Sequence, residues 1–107
     1  MKVHSYCTHG GKDLILEFLN TLRSEEKAEG LYILEQLEKG SFDDLNKLDI
    51  KHFEGKLWEI KFRKFNRIFY MLKDNENIYL LHACKKQKNA AESMDRNLAI
   101  KRSKEVK

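Results

Sequence analysis

An α+β fold is predicted by three features of this sequence: helical spacing of apolar residues before Gly40, strand-like alternation from Leu57, and a return to helical spacing after Ala91. The expected architecture is an N-terminal helix hairpin packed on a small twisted antiparallel sheet of three or four strands. A basic C-terminal helix follows, and residues 1–107 form a single domain.

The elements follow in order. Lys2–Thr8 is short and mixed and reads as a first strand, broken by Gly10-Gly11. From Asp13, the residues Leu14, Ile15, Phe18, Leu19 and Leu22 lie on one stripe of a first helix. Ser24 is placed to cap a second helix, with Glu25 and Glu26 in its first turn, where the helix dipole favours acidic groups. Its apolar stripe is read as Ala28, Leu31, Leu34 and Leu37, with Gly40 just past its end. The short link between the helices predicts an antiparallel hairpin with one apolar face to bury.

Three strands come next. In Leu57–Arg63, Trp58, Ile60 and Phe62 alternate with Glu59, Lys61 and Arg63. Arg67–Leu72 is rich in residues suited to a pleated surface, and Ile78–Cys84 follows the polar turn Lys73–Asn77. Connections this short join antiparallel neighbours. The terminal helix then carries Ala91, Met94 and Leu98 on one side, with Arg96, Lys101, Arg102 and Lys104 mostly on others.

Composition narrows the function classes. Apolar residues make up 41% and charged residues 36%, and 6 Phe, 4 Tyr and 1 Trp supply enough aromatic mass to argue against disorder. No apolar run approaches the roughly 20 residues of a membrane span, and no secretory signal opens the chain, so a cytoplasmic protein is expected. Cys7 and Cys84 are far apart, without the spacing of a disulfide framework or zinc ribbon. His4, Cys7 and His9 lack a fourth ligand at suitable spacing, so no metal and no cofactor is expected.

Charge divides the chain. Residues 1–56 hold 8 Lys+Arg against 11 Asp+Glu, whereas residues 57–107 hold 13 against 6. A basic half beside an acidic half points to a face that meets a polyanion, although lysine used simply for solubility gives the same count. If the strands pair in sequence order, Lys61, Arg63, Arg67, Lys85, Lys86 and Lys88 converge on one solvated sheet face. Arginine forks and lysine point charges there suit a phosphate chain. An ordinary solvated face is the competing reading. Lys61 with Glu59 also suits an exposed ion pair, Arg67 a structural pair with Asp43 or Asp44, and His82 a satisfied core histidine. Trp58, Phe62, Phe69 and Tyr70 read as core.

An ordered set of segments carries a resemblance. Leu45–Leu48, Gly55–Arg63, Arg67–Tyr70 and Leu80–Asn89, with the preceding hairpin and the terminal helix, resemble the RelE/ParE toxin superfamily, above all its phage-related HigB-like (host inhibition of growth) branch. The likeness spans about residues 12–104. Two departures stand out: Ala90-Ala91 replaces the proline usual before the terminal helix, and Cys84 replaces a phenylalanine.

The resemblance implies a RelE-like toxin that cleaves messenger RNA on the ribosome without metal, through the RNA's own 2′-hydroxyl. By position, it implies Lys61 as base, Arg67 on the phosphate and Lys86 at the leaving oxygen, with Glu59 as the competing base. Arg63, Lys64, Lys85 and Lys88 would hold RNA. The terminal tyrosine of some relatives has no counterpart. Implied partners are a HigA-like helix-turn-helix antitoxin, the ribosome and mRNA, with DNA reached only through the antitoxin complex and no membrane. A ParE-like inhibitor of DNA gyrase and a non-catalytic RNA-binding relic are the alternatives.

Overall fold

The computed structural model describes residues 1–106; Lys107, the last residue of the domain read from the sequence, lies outside them. Strands β1 (Lys2–Ser5), β2 (Ile50–Glu54), β3 (Leu57–Phe62), β4 (Asn66–Leu72) and β5 (Asn77–Lys85) form one sheet in the order β1-β5-β4-β3-β2. The β1–β5 pair is parallel and the others are antiparallel. The sheet is therefore mixed and five-stranded, where the sequence predicted an antiparallel sheet of three or four. The expected first strand is present as β1, ending at Ser5, and the unanticipated strand is β2, at the other edge. Ile50–Glu54 has an irregular burial pattern, with only Ile50 and Phe53 partly covered, so no alternation announces it.

Helices α1 (Leu14–Asn20) and α2 (Ser24–Lys39) cover one face of the sheet. The Asp13 side chain caps α1, accepting from the N–H groups of Ile15 and Leu16 at 3.0 Å each. In α2 the cap position falls on Arg23 rather than Ser24, and no side chain caps it. Its buried stripe is Gly30, Ile33 and Leu37; of the expected series Leu37 is buried and Leu34 packs against the core, but Leu31 is 40% exposed. Gly30 explains the rotation. A Cβ there would sit 2.5 Å from Leu19 Cδ2 and 3.3 Å from the Phe62 ring, so only glycine lets the two helices and β3 approach this closely.

These helices bury Ile15, Leu19, Ile33 and Leu37 against Ile60, Phe62, Ile68, Tyr70, Ile78 and Leu80. Helix α3 (Asn89–Ser103) lies on the opposite face, over a smaller core of Leu57, Phe69, Met71, Leu81 and Cys84 closed by Ala99. That second face was expected to be solvated. Instead α3 roofs it.

Two local irregularities set the site. At the bulge in β5, Phe69 pairs with His82 but Tyr70 pairs with Leu80, so Leu81 is an extra residue and both Leu81 and His82 meet the α3 side. At the β3–β4 turn, Arg63 and Lys64 adopt φ of 52° and 63° between the paired residues Phe62 and Asn66. Non-glycine residues pay about 1–2 kcal/mol each for that left-handed conformation. Among the described residues, no helix is long and apolar enough to cross a membrane.

Candidate functional site

The sequence-predicted cations gather at one end of the sheet, but in two different environments. The first is under α3. Lys61 and Arg67 are direct partners across β3–β4, so their side chains share a face, and Glu59 lies two residues back on the same strand. Arg67 donates from Nε to Glu59 Oε2 at 2.8 Å, and from Nη1 to both carboxylate oxygens of Glu92 at 2.8 and 2.7 Å. Its guanidinium also lies 4.9 Å from the Phe69 ring centre.

The Arg67 side chain is 7% exposed and that of Glu59 4%. Burial works against the charge on Arg67, but the hydrogen bonds it donates to Glu92 and Glu59 more than offset it and hold its pKa above the usual value. The same contacts hold Glu92 below the usual glutamate range. Arg67 is thus neither paired with Asp43 or Asp44 nor open to solvent: a carboxylate from β3 and another from α3 neutralise it. Lys61 is the partly open member, 30% exposed, with Nζ 3.9 Å from Glu59 Oε1.

The second environment is the exposed tip where the β3–β4 turn meets the end of β5. Asn66 pairs with Lys85, and the Lys86 N–H donates to the Phe65 carbonyl at 2.6 Å, which fastens the two segments together. Arg63 lies in this turn and not on the sheet face with Lys61. Its Nε is 2.9 Å from Glu29 Oε2 of α2. Lys85 Nζ donates to Glu26 Oε2 and Asn66 Oδ1 at 3.2 Å each, and buried Asn66 donates to the same Glu26 oxygen at 3.0 Å. Hydrogen bonds from Asn66 and then Lys85 lower the Glu26 pKa. Lys64, Lys86 and Lys88 are exposed and make no ion pair among the described residues.

A third cluster sits beneath α3. His82 Nε2 is 2.7 Å from Asp95 Oδ1, and Arg102 Nη1 approaches His82 Nδ1 at 3.3 Å. Because Arg102 can only donate, Nδ1 is the acceptor and Nε2 carries the proton given to Asp95. Burial, the largest influence, lowers the His82 pKa, so the ring is neutral and satisfied.

His82, Cys84 and Asp95 offer one donor atom each within 4.8 Å of one another. Three features of the set favour a hydrogen-bonded core over a metal centre. Its His–Asp pair is closed by a proton, burial pushes the Cys84 thiol up to about 12, and Arg67 and Arg102 add positive charge. His4 and Cys7 are used otherwise, His4 stacking on Tyr79 and bonding Asn77, and the Cys7 thiol donating to the Ser5 carbonyl.

Sequence reasoning missed Glu92, Glu26 and Glu29, the acids that neutralise Arg67, Lys85 and Arg63. Each comes from a helix distant in the chain, so no local spacing marks it. It also missed Phe65, whose signal was an aromatic inside a basic turn. As a chemical surface, the sheet end holds partly open Lys61 beside a neutralised arginine, and exposed Lys64, Lys86 and Lys88 at the adjoining tip. No curated protein matches the chain. The chain belongs to the phage-derived Gp49-like proteins (DUF891), a RelE-like and toxin-like family whose model matches residues 17–104, from within α1 to the residue just past α3.

Proposed function

We propose that this protein is the toxin of a type II toxin–antitoxin pair, of the HigB-like kind, and that it cuts messenger RNA on the ribosome. The observation that carries the reading is that Lys61 and Arg67 pair across β3–β4 next to the turn and strand end that hold Lys64, Lys86 and Lys88, in a chain of this family.

In the proposed reaction the RNA 2′-oxygen attacks the adjacent phosphorus. One O–P bond forms and the bond to the 5′-oxygen breaks, leaving a cyclic phosphate and a 5′-hydroxyl. Lys61, the partly open group beside Arg67, takes the 2′ proton, and Lys86 supplies one to the leaving oxygen. Cations around the phosphoryl oxygens offset the charge gained in the transition state. Glu59 suits a different part: nearly out of solvent and bonded to Arg67, it fixes the arginine rather than reaching RNA. Arg67 meets a phosphate only where that phosphate displaces Glu92. An antitoxin with a helix-turn-helix domain is the proposed partner, and the acidic outer surface of α2 is its proposed contact.

The test is purified protein added to translating ribosomes, with transcript ends mapped. Codon-registered cuts are expected, reduced about 10²–10⁴-fold by Lys61→Ala or Lys86→Ala. Growth arrest without cuts refutes the nuclease, and loss of supercoiling by gyrase in a parallel assay would move the protein to the ParE-like class. A second reading draws on Arg67 itself: an arginine sealed by two carboxylates favours an RNA binder that does not cut. That reading expects RNA binding with neither cleavage nor arrest.

A further inference from the structure

The turn between β3 and β4 holds an aromatic ring where burial cannot explain it. Phe65 is 62% exposed. Other large exposed apolar residues exist, and isolated ones are ordinary. Phe65 differs in its setting and in how it is held. Arg63 and Lys64 precede it, both in left-handed backbone conformations, and Lys85, Lys86 and Lys88 lie on the segment bonded to it. Its N–H donates to the Arg63 carbonyl at 2.6 Å and its carbonyl accepts from Lys86 at 2.6 Å. The backbone is fixed on both sides while the ring faces solvent.

We propose that the hairpin tip is a stacking platform for one base of single-stranded RNA, with the Phe65 ring under the base and Lys64, Lys86 and Lys88 along the backbone. This rests on the reading above that the chain meets RNA, but not on its cutting RNA. A base stacks on an aromatic face whatever its identity, and flanking cations hold the phosphates on either side, the combination that single-strand binders use. A residue whose backbone is already fixed loses less freedom when a base arrives than one in a loose loop. Lys64 beside the ring and Lys86 and Lys88 on the segment bonded to it, none in an ion pair among the described residues, favour a polyanion over an apolar protein surface. A duplex, whose bases are already stacked on each other, cannot use the platform.

The experiment is fluorescence anisotropy of a labelled single-stranded oligouridine with wild-type protein, Phe65→Ala, Phe65→Leu and Phe65→Trp, repeated on an oligonucleotide abasic at successive positions. Phe65→Ala and Phe65→Leu are expected to weaken binding about 5- to 100-fold with an unchanged salt slope, and Phe65→Trp to keep it. Wild type and Phe65→Ala should bind fully abasic RNA equally. The ring is exposed, so the variants should keep the wild-type melting temperature. The platform is overturned if Phe65→Ala binds oligouridine like wild type, if Phe65→Leu restores the affinity, or if the abasic strand shows the same loss. Wild-type protein that binds no RNA at low salt defeats the RNA reading itself. Binding with the expected Phe65 dependence but no cleavage leaves the platform standing and removes only the nuclease.

Discussion

Replacing Glu92 by glutamine should make the protein less stable and a better RNA binder, because both properties pass through Arg67. Glu92 accepts two charge-assisted bonds from Arg67 Nη1, at 2.7 and 2.8 Å, and its side chain is 24% exposed. Such bonds are worth about 1.5–3 kcal/mol each when lost outright. Glutamine keeps one acceptor oxygen, and Glu59 still neutralises the guanidinium, so a net loss of about 1–2 kcal/mol is expected. For a chain of this size that lowers Tm by about 4–15 °C. Glu59→Gln removes the more deeply buried partner and should cost more, about 3–5 kcal/mol.

The acid limb of the stability curve carries a second signature. Glu92 has a folded-state pKa below its ordinary value of 4.5, so its contribution is complete above that pH and is lost as pH falls through the lowered value. Urea titrations from pH 7 to pH 3 should show Glu92→Gln with a shallower acid decline than wild type. In RNA binding the variant removes one of the two carboxylates on Arg67 while Glu59 keeps its hold, so the slope of log affinity against log salt should steepen by less than about one unit. A Glu92→Gln protein as stable as wild type, or one that binds RNA no better while being less stable, would refute the argument that this pair withholds Arg67 from solution.

Three further outcomes are expected. Gly30→Ala should lower stability by about 1–3 kcal/mol in urea despite the better helix propensity of alanine, because its Cβ would press on Leu19 Cδ2 at 2.5 Å. Lys64→Gly should raise stability by about 1 kcal/mol by relieving the left-handed backbone at φ 63°, while weakening RNA binding through the lost charge. With a thiol reagent at pH 8, exposed Cys7 should react quickly, and Cys84, buried with its thiol pushed up to about 12, should react only on unfolding.

What the sequence revealed divides along the range of the interactions involved. Alternation in β3 placed Ile60 and Phe62 on the helix side and Glu59 and Lys61 opposite, because a two-residue period is a property of the strand alone. It failed one residue later: Arg63 would continue the alternation, but the left-handed turn swings it to Glu29. The α2 stripe was partly misread, because glycine counts as no apolar residue, although Gly30 is the position of closest approach. Gly40 stands just past the end of α2, where the sequence placed it, with φ of −86°. A Cβ there would lie 2.8 Å from the Gln36 carbonyl, so crowding rather than backbone hand makes glycine fit. The parallel pairing of β1 with β5 joins opposite ends of the chain, and nothing local could reveal it.

The site was legible as a set of cations and illegible as a surface. Strand order brings Lys61, Arg67 and Lys86 to one end, but which of them faces a ligand depends on acids supplied by two helices. Glu26 and Glu29 of α2 tether Lys85 and Arg63 from one side, and Glu92 of α3 seals Arg67 from the other. Lys85 and Arg63 are about half exposed in ion pairs worth about 0–1 kcal/mol, so an arriving phosphate can take either cation at small cost. Arg67 is different. It sits among buried partners, and leaving Glu92 uncompensated while a phosphate enters costs several times more. On the proposed reading, an RNA strand meets the tip first, through Lys64, Lys86, Lys88 and the Phe65 ring. In that reading it would engage Arg67 only with binding energy already gathered there, so substitutions at the tip should lower occupancy of Arg67 without touching it.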